Sequence, residues 1–273
     1  MNCYYTKAKL YQTANSIRTN VLHFDLQNYP LDLVTLFENS EDLDFAKLPF
    51  QTHSLRGMAI KAENARQNDI ILLNSHLSPV EQNFYCAHEL IHLCLHRDLK
   101  GNTFHCYEKV RPNQNPFIEW HANEGAAELL VPYTLILPLI AESRIFSSRH
   151  ALLDIYDLKA ELAKRFLVTE AVINYRLEGL KYEIFQYLSG TPLEEIEILS
   201  NNQQKKQDIY ISSLNELAYD NWQGMPDESW EGEKDIPFEK AGQDKQDELD
   251  SYNMMMTERL RDRWLDVDYD YHG

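Results

Sequence analysis

The stretch LSPVEQNFYCAHELIHLCLH, residues 77–96, admits few backbone solutions. Ser78 suits an N-cap, Pro79 suits the first helical position, and Glu81 is placed to close a capping box. A helix is therefore predicted from near Pro79 to about His96. On that helix His88 and His92 stand four residues apart, so both project from one face with Cβ atoms ~5–6 Å apart. Two imidazoles so placed can grip one tetrahedral cation. Glu89 is turned ~100° around the axis, away from the ligand pair but within reach of a water on the metal's open side. This is the physical basis of HExxH hydrolytic chemistry. The competing reading is an amphipathic helix that carries histidines by chance. A third ligand decides between them.

Candidates lie in FIEWHANEGAAELL, residues 117–130, which reads as a second helix stopped by Pro132. Glu119, His121, Glu124 and Glu128 all carry ligating groups. Glu119 is favoured because Asn123 follows it by one turn. Such an amide can accept a hydrogen bond from a liganding histidine and fix its tautomer. His121 would need the helix rotated. Glu124 and Glu128 form their own i,i+4 pair, a solvated face or a helix-packing edge. Gly125 costs a helix ~1 kcal/mol relative to Ala, which close packing on the histidine helix would explain. Cys86 and Cys94 sit two residues from the histidines and point to other faces. Together with Cys3 and Cys106 they form no CxxC pair and read as reduced thiols.

The rest of the chain frames these helices. A first helix carries Tyr4, Leu10, Ile17 and Leu22, and a second starts at Pro30. LRGMAI and DIILLNSHL read as antiparallel strands, the second with an edge free to bind an extended peptide. Residues 97–116 read as a loop. Two short helices follow, broken at Leu167-Val168 and restarted by the Thr169 cap, in a helix-turn-helix-like arrangement. Beyond Gly190 the chain turns polar and largely irregular, with one more short helix expected over 251–265. Three segments result: 1–145 with the histidine helix, 146–190 helix-turn-helix-like, and 191–273 an acidic extension.

Residues 201–273 hold 18 acids against 8 bases within a total net charge of −17. That balance argues against nucleic-acid binding, although Lys159, Lys164, Arg165 and Arg176 of the segment 158–180, with the adjoining Lys181, form a modest basic set. No apolar run reaches the ~18 residues of a membrane span, and the N-terminus has no signal-peptide pattern. The cytoplasm is the expected compartment.

AHELIHLCLH followed by EWHANEGAAELLVP resembles the ImmA/IrrE metallopeptidase family, with its AHELGHxxLH and ExxANxFAAxLLMP forms. LAKRFLVTEAVINYRLEGL resembles the family's LAxxFxVSxxAxxxRLxxLG. The resemblance spans about residues 5–182. It implies an α+β fold, a small gluzincin-like unit of helices around a short sheet. It assigns Zn2+ to His88, His92 and Glu119, the general base to Glu89, and the supporting amide to Asn123. It also implies an intracellular endopeptidase whose substrate is a helix-turn-helix repressor of a phage or mobile element. Three departures stand out: Ile91 replaces the usual Gly, Gly125 replaces Phe or another bulky residue, and His121 stands where an acid is frequent. A binding module that captures a repressor or DNA without cleavage is the alternative. Tyr85, His121, Tyr133 and the tyrosines beyond remain open as donors to an oxyanion.

Overall fold

Thr6 starts the first helix. Its hydroxyl accepts from Lys9 N at 3.2 Å, and α1 runs over Lys7–Ser16. The computed structural model describes residues 5–52, 54–112, 114–143, 151–214 and 216. Leu10, Ile17 and Leu22 are buried as their spacing predicts, while Tyr4 lies outside the described residues. Helix α2 begins at Leu33 rather than Pro30 and ends at Glu38. Asp32 sets that start, its carboxylate accepting from Thr35 N at 3.0 Å.

A four-stranded sheet follows: β1 (Leu43–Leu48), β2 (Leu55–Ile60), β3 (Asp69–Asn74) and β4 (Thr103–Tyr107), in the order β1-β3-β2-β4. β2 and β3 pair antiparallel as expected, and β1 joins β3 in parallel. The free edge expected on β3 is not there. β1 and β2 take both of its sides, so among the described residues the open edges belong to β1 and β4. β4 forms inside the segment read as loop. Its five residues, TFHCY, are rich in strand formers but too short to stand out between polar flanks.

Helix α3 (Pro79–Leu95) lies against the sheet. The Ser78 N–H and hydroxyl donate to Glu81 Oε2 at 2.9 and 2.7 Å, which closes the first turn. Every residue from Gln82 to Leu93 is buried, so α3 is the axis of the fold. Period-two alternation sets two rows beneath it: Leu73, Gly57 and Cys106 in register, then Ile71, Ala59 and Phe104.

Helix α4 (Pro116–Leu130) crosses α3, with Asn115 as N-cap accepting from Phe117 N at 3.0 Å. The crossing is close because Gly125 has no side chain. A Cβ there would stand 3.1–3.2 Å from three side-chain atoms of Ile91. These are two of the departures from the usual family pattern, and they compensate: bulk has moved from α4 to α3. Gly125→Phe alone should cost about 1–3 kcal/mol through overpacking. In the Ile91→Gly background the cost should shrink or change sign, a coupling of about 0.5–3 kcal/mol that a double-mutant cycle in urea would read. Additive losses would refute the exchange.

Beyond α4, Pro132 breaks the helix and α5 runs over Tyr133–Glu142. α6 (Ala151–Phe166) and α7 (Glu170–Gly179) meet at Leu167, which adopts φ +52°. Thr169 caps α7 by accepting from Val172 N at 3.3 Å. α8 (Lys181–Leu188) follows almost without pause. Phe166, Ile173 and Leu177 belong to the same buried cluster as α3 and α4.

The Arg176 guanidinium is wholly buried. It donates to Val131 O at 2.9 Å and Glu124 Oε1 at 3.2 Å, and pairs with Glu128. Glu124 and Glu128 are thus a packing edge rather than a solvated face.

The start of the acidic extension is also packed. Lys7 Nζ donates to Glu183 Oε1 at 2.8 Å and Leu199 O at 3.3 Å, a short helix α9 spans Asn201–Lys206, and Leu199 is buried. The helix expected over 251–265 falls outside the described residues. Among those described, no single helix is long and apolar enough to cross a membrane. α4 and α5 pass a length-and-composition test only as a pair bent by 58°.

Candidate metal centre

α3 presents His88 and His92 toward α4, and Glu119 in the first turn of α4 meets them. Glu119 Oε2 stands 3.5 Å from His88 Nε2 and 3.8 Å from His92 Nε2. The two Nε2 atoms approach to 3.0 Å. One ligating atom from each of the three residues lies within 4.8 Å of the others, and all three are buried. Of the four acidic and histidine candidates on the second helix, the fold brings Glu119 to this point. Glu124 and Glu128 turn to Arg176, and His121 turns to His96 and Tyr5.

Each histidine is steered from behind. His88 Nδ1 lies 2.8 Å from Asn123 Oδ1, so Asn123 sits where its i+4 offset from Glu119 placed it. His92 Nδ1 lies 2.9 Å from His96 Nδ1, and His96 Nε2 lies 3.3 Å from His121 Nδ1. Phe104 of β4 stacks on the His92 ring at 4.7 Å and 10°. Burial pushes His96 down to about 2 and His121 down to about 4, so both are neutral at physiological pH. Sequence reasoning passed over His96, although it continues the same helical row one turn beyond His92.

Glu119 keeps its charge. Burial alone would raise it, but hydrogen bonds and charge from His88 and His92 hold it down at about 2. Gln114 also donates to Glu119 Oε1 at 3.1 Å and to His105 O at 2.7 Å, linking α4 to β4. Glu89 is the opposite case. Burial, then the charge of Glu119, pushes its carboxyl well above the usual carboxylate range. Neither of its oxygens has a hydrogen-bond partner. Gly57 makes room for it: a Cβ there would stand 2.7 Å from Glu89 Oε1. A small cleft opens beside these groups, lined by Tyr85, His88, Cys106, Tyr107, Glu119 and Asn123 among others. Of the oxyanion candidates Tyr85, His121 and Tyr133, Tyr85 is among its lining residues; Tyr133 stacks on Tyr11.

The family model described as the IrrE N-terminal-like domain, Peptidase M78, matches residues 39–178, just over half of the chain. The chain belongs to this family. The IrrE N-terminal-like match takes in the whole sheet, both helices of the centre and the α6–α7 pair. It leaves α1, α2 and α8 outside. A search of curated proteins finds no match. Membership makes the chain metallopeptidase-like. The donor set fits that description, with two imidazoles and a carboxylate converging in a buried site, an open cleft beside them, and the unpartnered Glu89 carboxyl close to His88.

Proposed function

We propose that the chain is a zinc-dependent endopeptidase, with His88, His92 and Glu119 holding the metal and Glu89 acting as general base. The observation that carries this reading is Glu89: a buried carboxyl without a partner, beside three convergent donors. Such a group is costly to bury, and it is useful where a water must lose a proton. Zinc, when bound, supplies a Lewis acid that acidifies water to near neutral pH and polarises a carbonyl. Glu89 then takes the proton of the attacking water and returns it to the leaving amine. Asn123 and His96 hold the two histidines with Nε2 free to ligate, since each Nδ1–H has an acceptor behind it. β4, the edge strand that borders the cleft, seats an extended substrate by strand addition.

The family resemblance favours a helix-turn-helix transcriptional repressor as substrate and the cytoplasm as the place of action. Direct DNA binding is disfavoured, because Arg176 and Lys159 of the 158–180 basic set are buried. Purified protein should contain about one equivalent of zinc, cleave a candidate repressor, lose cleavage on chelation and regain it with zinc. Cleavage by metal-free protein would overturn the proposal. Tight binding of the repressor by zinc-loaded protein without cleavage would make it a capture module instead.

His96 gives a narrower test. His96→Phe removes the acceptor behind His92 and leaves that tautomer unspecified. Zinc affinity should fall roughly 10–100-fold, measured by competition with a chromophoric chelator. Unchanged affinity would show that His96 only fills space.

A further inference from the structure

Cys106 enters the centre from β4, and its thiol has no role in the metallopeptidase reading. It is 3% exposed, lies opposite Gly57 in the β2–β4 register, and lines the cleft beside His88 and Glu119. Ligating atoms of His88, Glu89 and Cys106 all lie within 4.8 Å of one another, and all three residues are buried. Both Glu89 oxygens there are unpartnered. We infer that the centre holds a second donor set, His88, Glu89 and Cys106, suited to a thiophilic divalent cation. A bare cysteine in a core would fill space beneath α3 and nothing more. This one stands against an imidazole and a buried carboxylate that no hydrogen bond occupies.

The two sets exclude each other. His88 Nδ1 is engaged by Asn123 Oδ1 at 2.8 Å, which leaves Nε2 as the single ligating atom both sets need. A cation in the second set has thiolate, carboxylate and imidazole donors, and a softer ion gains more from the sulfur than zinc does. The thiol proton, and any proton on the Glu89 carboxyl, pass to solvent as the bonds to the cation form, and no redox change is involved. On the zinc-peptidase reading, an ion held this way takes up Glu89 itself, so the base is lost and the enzyme is silent. That consequence rests on the proposed function; the binding does not.

Cadmium is the probe. Adding one equivalent of Cd2+ to the metal-free full-length protein should produce a sulfur-to-cadmium charge-transfer absorption in the ultraviolet. Cys106→Ser should lose that absorption. His92→Ala and Glu119→Gln, each of which breaks the catalytic set, should keep it while losing zinc. No absorption in wild type would overturn the inference, as would its persistence in Cys106→Ser. Its loss in both His92→Ala and Glu119→Gln would show that the sulfur merely completes the catalytic set, and would overturn the separate site. Zinc content and cleavage by wild-type protein report on the proposed function independently of every one of these spectra.

Discussion

Glu89→Gln is expected to retain about one equivalent of zinc and to lose peptide-bond cleavage by ~10²–10⁴-fold. The amide keeps the shape of the carboxylate and fits the space that Gly57 leaves, so the fold has no reason to change. It cannot accept a proton from water. Loss of zinc together with loss of cleavage would instead place Glu89 among the ligands. Gly57→Ala approaches the same group from beneath. Its Cβ would press on Glu89 Oε1 from 2.7 Å and displace the proposed base while leaving His88, His92 and Glu119 in place. Activity should drop with zinc content unchanged.

The same substitution has a stability signature in the metal-free protein. Burial and the Glu119 charge raise the Glu89 pKa in the folded state, so the folded chain binds that proton more tightly than the unfolded chain does. The resulting contribution to stability is complete below the unfolded value of about 4.3. It is lost as pH rises through the folded value. Gln does not ionise and loses nothing. Metal-free Glu89→Gln should therefore gain on wild type in thermal midpoint as pH rises from about 5 to about 8. Midpoints that move in parallel across that range would contradict the buried, unpartnered carboxyl.

Local chemistry explains which parts of this centre were legible in the sequence. The α3 cap and the His88–Glu89–His92 row depend only on residues within a few turns, as does the Glu119–Asn123 pair, and helix geometry places each relative to its neighbours. His96 follows the same rule and needed only the row extended by another turn. Gly57 and Cys106 obey a different one. They reach Glu89 through β2–β4 pairing, whose register depends on non-local backbone bonds and an irregularity between Leu55 and Gly57. No spacing in the chain encodes that. The edge assignment failed for the same reason: β1 is a weakly alternating strand, and only its parallel pairing with β3 shows which edges stay open. Gly125 was readable as a sign of close packing, but its partner, Ile91, became visible only at the crossing.

Arg176 should be the largest single contributor to stability outside the metal centre. Its guanidinium is 0% exposed and meets acceptors from three directions: Val131 O, the Tyr11 hydroxyl, and the carboxylates of Glu124 and Glu128. Tyr11 and Tyr175 each donate to Glu124 at 2.5 Å, so both of its oxygens are engaged. The network joins α7 to α1 and α4, and α4 also carries Glu119 and Asn123. Arg176→Ala leaves two buried carboxylates without a counter-charge, which should cost roughly 3–5 kcal/mol. Arg176→Lys should not rescue it, because a single ammonium cannot span acceptors that a planar fork reaches together. Replacing Arg176, Glu124 and Glu128 together with Met, Leu and Met removes the stranded charges and should recover part of the loss, the rest remaining because the Tyr11 and Tyr175 hydroxyls lose their acceptor. Urea unfolding of metal-free protein measures each of these without the mass-action stabilisation that bound zinc adds. A loss in Arg176→Ala below about 1 kcal/mol would mean the carboxylates shed their charge by protonation, and the network would then be an effect of close packing between α7 and α4 rather than its cause.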